Sequence, residues 1–111
     1  MNDLITQVKR NRRFIVYIKS TIRCSKCGDT FNLQFHHCGE SHKKEMSISK
    51  MVRKYPNIED ILRELNKCAI LCERCHKGIH YGGEQDNTLP RDWNAVYSQF
   101  IEVDKWKILI I

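Results

Sequence analysis

Cys68-Ala69-Ile70-Leu71-Cys72-Glu73-Arg74-Cys75-His76-Lys77-Gly78-Ile79-His80 is the stretch that decides the fold. Its Cys72-x-x-Cys75 pair is matched upstream by Cys24-Ser25-Lys26-Cys27-Gly28. Two such pairs are what a tetrahedral zinc site needs, because each short loop lets two thiolates reach one ion. Cys24, Cys27, Cys72 and Cys75 are therefore expected to hold a structural zinc. Gly28 permits the left-handed backbone that such tight turns often require. Cys38 and Cys68 have no partner at that spacing and read as small core residues.

Working outward, 111 residues suit one domain, in the size range where a metal staple helps a modest core. Apolar content of 41% with 29% charged residues indicates a globular chain. The longest apolar runs, Phe14 to Ile18 and Ile108 to Ile111, fall far short of the roughly 20 residues of a membrane span. The N-terminus is charged and lacks an apolar segment with a cleavage site, so no signal peptide is expected. Cysteine pairs that run straight into a histidine favour metal over disulfides, hence a reducing, cytoplasmic setting. A net charge of +6 and a pI near 9.1 favour an anionic partner, nucleic acid foremost.

The periodicity predicts a helix over 3–22, with Leu4, Val8, Ile15, Ile18 and Ile22 apolar around the basic block Lys9-Arg10-Asn11-Arg12-Arg13. That block suits either a solvated face or phosphate contacts. Alternation of Phe31, Leu33 and Phe35 predicts a strand from Thr30 to His37 with one buried face. Polar loop to Lys44 leads to a short helix over 47–55, stopped by Pro56, and a second helix capped by Asn57. Cys68 to Leu71 predicts the second strand, and Cys75 to His80 a helix. After Tyr81-Gly82-Gly83, a last helix is expected near Pro90, with Trp93, Val96, Tyr97, Phe100 and Ile101 on one face. No internal repeat or low-complexity segment interrupts this order.

His76 and His80 are spaced i and i+4, so a helix points both imidazoles at one ion; two surface histidines would share that spacing. His36 and His37 end the first strand, where the pleat sends neighbours to opposite sides. If His36 joined His76 and His80, the ion would have three nitrogen ligands and open positions, the pattern of catalytic sites. His37 would remain available as a general base.

Taken together, Cys-x-x-Cys-Gly, then Leu-x-Phe-His-His, then Lys-Cys-x-x-Leu-Cys-x-x-Cys-His-x-x-x-His resembles the HNH endonucleases of the zinc-containing ββα-metal, or His-Me finger, type. Met46 to Val52 and the segment through Ile61 and Glu64 to Lys67-Cys68 are similar to the insert of small phage and bacterial members. The resemblance covers about residues 10–81. It implies an α+β fold: a ββα-metal core over 23–81 with a four-cysteine zinc site and a helical insert over 47–66. A basic N-terminal helix would precede this core, and a C-terminal helical extension over 82–111 would follow.

For the site, the resemblance implies that His36, His76 and His80 ligate a catalytic divalent ion (Mg2+, Mn2+, Ni2+ or Zn2+) and that His37 activates water. The position of the family's middle Asn carries Lys67, with Asn66 one residue early, so these two are the candidates for supporting the base. The implied activity is DNA phosphodiester hydrolysis by a one-metal mechanism in a bacterial or phage-infected cell. Arg10, Arg12, Arg13, Lys43 and Lys44 are the foremost candidates for DNA contacts, with Lys9, Lys50, Arg53 and Lys54 beside them. The competing readings are a non-cleaving zinc module that binds nucleic acid, or a phage packaging accessory. In the latter the tail from Trp93 to Ile111 would self-associate or dock a larger assembly, though packing on the core is the simpler role for it.

Overall fold

The structure, a computed structural model, describes residues 4–39 and 47–110, with backbone alone for 107–110. It is a small α+β fold with, among the described residues, five helices and one two-stranded sheet: α1 Leu4–Thr21, β1 Leu33–His37, α2 Ile48–Lys54, α3 Ile58–Leu65, β2 Cys68–Cys72, α4 Glu73–Tyr81 and α5 Trp93–Ile110. None of the helices among the described residues is long and apolar enough to cross a membrane.

The β-prone run Phe14 to Ile18 is helical because packing outweighs local preference: Phe14 and Ile18, one turn apart, are fully buried on α1. β1 begins at Leu33, not Thr30. Asp29 Oδ1 accepts the backbone N–H groups of Thr30 and Phe31, a local turn that holds the chain out of the ladder and leaves Phe31 exposed. Asn57 caps α3 as expected, its Oδ1 accepting from Glu59 N at 2.9 Å. α4 starts at Glu73, two residues earlier than expected, because Cys72 Sγ caps it through Cys75 N. α5 starts at Trp93, three residues past Pro90, where Asp92 Oδ1 accepts from Ala95 N at 3.3 Å.

β1 and β2 pair antiparallel, with Leu33 opposite Cys72, Phe35 opposite Ile70 and His37 opposite Cys68. Opposed residues share a face, so Leu33, Phe35 and His37 point to one side and Gln34 and His36 to the other. The ribbon is covered on both faces. Phe35 packs edge-on against Trp93 of α5 and His37 meets Glu64 of α3, whereas Gln34 and His36 meet α4. This explains why all five residues of β2 are buried.

α5 belongs to the same core. Trp93 is fully buried, Val96 and Phe100 nearly so, and Phe100 and Tyr97 pack on Phe14. The Trp93 indole N–H donates to Cys68 O at 2.9 Å, tying the last helix to the start of β2.

Candidate metal centres and the histidine pair

The four cysteines converge. Cys24, Cys27, Cys72 and Cys75 present sulfurs that all lie within 4.8 Å of one another. The Cys27 to Cys72 separation is 3.6 Å. A tetrahedral zinc with Zn–S near 2.3 Å spaces its sulfurs about 3.8 Å apart, so the cluster could hold such an ion with little movement.

Local backbone builds this cluster from both ends. Gly28 adopts φ +79° and its N–H donates to Cys24 O, closing the turn that brings buried Cys24 and exposed Cys27 to one cluster. Lys26 N donates to Cys24 Sγ at 3.4 Å, and Ser25 N to Ile70 O, docking the turn onto β2. Burial raises the Cys24 thiol, but backbone groups at Cys72, Cys27 and Lys26 outweigh it and bring it down to about 6. Burial and its three sulfur neighbours instead push Cys75 up to about 12. Cys24 is thus the sulfur shifted toward the thiolate, the form that binds zinc. Cys38 and Cys68 stay outside it, both buried in the core.

A second cluster joins His36 of β1 to His76 and His80 of α4, with one nitrogen from each within 4.8 Å of the others. Their ring centroids lie 4.6 to 5.2 Å apart. His76 Nε2 and His80 Nε2 are 3.1 Å apart, near the roughly 3.3 Å spacing of two imidazole nitrogens on one tetrahedral ion. His76 Nδ1 lies 2.6 Å from Gln34 Oε1, an acceptor, so Nδ1 carries the proton and Nε2 the lone pair.

His36 is 2% exposed, and its Nε2 lies 2.8 Å from Asp86 Oδ2. Its Nδ1 is the one buried side-chain nitrogen or oxygen with no hydrogen-bond partner among the described residues. Burial would raise the Asp86 carboxyl, but hydrogen bonds from Thr88, His36 and Gly39 hold it well below the usual carboxylate range. An orphaned imidazole nitrogen beside two converging imidazoles fits a metal centre.

His37 turns the other way, toward α3. Its Nε2 lies 2.7 Å from Glu64 Oε2, and Lys67 Nζ donates to Glu64 Oε1 at 3.1 Å. Lys67 therefore reaches the histidine through Glu64. Asn66 engages α5 instead: its Oδ1 accepts from Trp93 N and its Nδ2 donates to Asn94 Oδ1.

The expected basic contacts divide. Arg12 is exposed and lines a groove between α1 and α2 with Arg53, Ser49 and Phe35. Lys19 lies 5.7 Å over the Phe35 ring at the same place. Arg10 is half-buried beside Asn57 and Tyr97. Arg13 is committed within the fold, a two-bond pair with buried Asp104 at 2.8 and 2.9 Å. Lys43 and Lys44 lie outside the described residues.

Sequence reasoning missed Glu64, Asp86 and Gln34. Glu64 had a signal, a carboxylate inside the apolar stripe Ile61, Leu62, Leu65. Gln34 shares the His36 face by strand alternation. Asp86 lies in an aperiodic polar stretch, with only Asp86-x-Thr88 to suggest a turn. No family model, curated protein or solved structure matches this chain.

Proposed function

We propose that the protein is a metal-dependent endonuclease of the HNH type, hydrolysing DNA phosphodiester bonds, with β1, β2 and α4 as its ββα-metal core and a zinc in the cysteine cluster. The observation that carries this reading is the convergence of His36, His76 and His80 within 4.8 Å, with the adjacent residue His37 held by a carboxylate on the other face of β1.

A divalent cation held by His36, His76 and His80 would relieve the charge that builds on phosphorus and on the departing oxygen. The chain's own groups supply the rest. An ionised Glu64 can only accept, so His37 donates Nε2–H to it and keeps its lone pair on Nδ1. Nδ1 takes a proton from the attacking water, and Glu64 stabilises the imidazolium that results. Lys67 holds the far oxygen of Glu64 and keeps that carboxylate aimed at the ring.

Substrate would approach His37 along basic surface. Arg12, Lys19 and Arg53 surround Phe35, which shares a strand face with His37 two residues on. These cations would follow the phosphate backbone and make binding salt-dependent.

The test is cleavage of supercoiled plasmid with Mg2+, Mn2+ and Ni2+, comparing wild type with His37→Ala. Nitrogen ligands favour the transition ions. Undiminished cleavage by the variant would remove His37 from the base role. A wild type that retains DNA in a mobility-shift assay but cuts with none of the metals would favour the non-cleaving zinc module.

A further inference from the structure

We infer that Asp86 is a positioning residue of the three-histidine centre: its carboxylate holds the Nε2–H of His36 and so makes Nδ1 the nitrogen offered to a divalent ion. The inference rests on that centre being a metal site, and it assigns a role to a segment that the mechanism has not used.

Two observations meet at this residue. Asp86 comes from the connection between α4 and α5, yet it lies 2.8 Å from His36, fifty positions away on β1. Its carboxylate is fully engaged. Oδ1 accepts from Thr88 N at 3.1 Å and from Thr88 Oγ1 at 2.5 Å, and Oδ2 accepts from His36 Nε2 and from Gly39 N at 3.2 Å. With four donors on its two oxygens, it is arranged to orient a neighbour, not to ligate an ion itself.

The proton assignment follows. A carboxylate only accepts, so His36 must donate through Nε2, and a neutral imidazole then carries its lone pair on Nδ1. That nitrogen is buried and has no hydrogen-bond partner among the described residues. A buried lone pair without a donor is unfavourable, and a cation satisfies it. His76 is fixed in the same manner but by a neutral group, with Gln34 on Nδ1 and Nε2 turned to His80. Outer partners of this kind hold the ring and raise the basicity of the ligating nitrogen, a carboxylate more than an amide.

Asp86 also staples the ends of two segments. Gly39, just past β1, and Thr88, in the run toward α5, both donate to it. Chain that lies outside the strand-strand-helix unit carrying the three histidines thereby contributes to the centre.

The experiment has two readouts, neither of them activity. Long-range proton–nitrogen NMR correlation on the wild-type protein, zinc in its cysteine cluster and no other metal added, should find His36 protonated at Nε2; protonation at Nδ1 would overturn the inference. Calorimetric titration of Ni2+ into the same protein should find one further site, lost in His80→Ala. In Asp86→Asn, checked for wild-type circular dichroism, that site should weaken about 10- to 100-fold. Nickel bound equally well by Asp86→Asn would overturn the Asp86 role alone. A wild type that binds no nickel beyond its zinc would overturn the centre and the Asp86 role together.

Discussion

Glu64 stands 2.7 Å from His37 Nε2 and is itself 3% exposed, a carboxylate set among Ile61 and Leu65 on the buried side of α3. An unpaired charge there would be costly, so the carboxylate depends on His37 and Lys67 as they depend on it. For the proposed hydrolysis this gives a graded expectation. His37→Ala should lower cleavage about 10²- to 10⁴-fold. Glu64→Gln, similar in shape but able to present an N–H to the ring and reverse the tautomer, should fall between that variant and wild type. Single-turnover cleavage rates at matched DNA saturation measure both. A Glu64→Gln protein that is fully active would separate the buried pair from catalysis.

The cysteine cluster leads to a different failure. Structural zinc contributes its binding free energy to folding, on the order of 10 kcal/mol in small zinc domains. Cys72 is also the cap of α4 and the last residue of β2, so its loss would release strand and helix together. Cys72→Ser, or extraction with a strong chelator, should abolish the cooperative thermal transition in circular dichroism. Elemental analysis of the wild type should find one zinc held through dialysis. A chelated protein that melts at the wild-type temperature would contradict this.

How much of this was legible beforehand follows from the range of each signal. Cysteine spacing and the i, i+4 histidines are local, and Cys24, Cys27, Cys72 and Cys75 converge, as do His76 and His80, as their spacing implied; His36 joins the two histidines across the β1–α4 contact, which spacing alone left open. The helices and both strands were readable from periodicity, apart from starts that turned on single caps such as Cys72 and Asp92. Long-range polar pairing was not readable. Glu64 to His37 spans 27 positions and Asp86 to His36 spans 50, and nothing periodic links either pair. Asn66 and Lys67 were the two candidates that the resemblance offered for supporting the base; the Asn66 amide is engaged by α5, whose docking no local pattern revealed.

Arg12 and Arg13 are neighbours with opposite expected behaviour. Arg13 makes a bidentate pair with Asp104, which is 3% exposed, so Arg13→Ala removes two charge-assisted hydrogen bonds from a buried carboxylate. Because the arginine is itself 39% exposed, the cost is discounted to about 2 kcal/mol. Denaturant titration should record that loss, with little change in the salt dependence of DNA binding. Arg12→Ala should leave stability within about 0.5 kcal/mol and lower the slope of log affinity against log salt by about 1. An unchanged slope for Arg12→Ala would remove the α1–α2 groove from the DNA path.

Trp93 tests whether α5 is part of the domain or an appendage. Its side chain is fully buried, meets Phe35 at 5.7 Å between ring centroids, and donates to Cys68 O. Trp93→Ala should cost about 3–5 kcal/mol, chiefly through the cavity, because Cys68 O keeps the Arg91 N–H as a donor. Trp93→Phe keeps most of the packing and loses one of the two hydrogen bonds to Cys68 O, for about 0.5–1.5 kcal/mol. Because the hydrogen bond ends on the first residue of β2, the loss should reach the core as well as the tail. Hydrogen exchange should therefore rise at Ile70 and Leu71 along with α5 in Trp93→Phe. Faster exchange confined to α5 would instead mark the tail as an independent unit resting on a self-sufficient core.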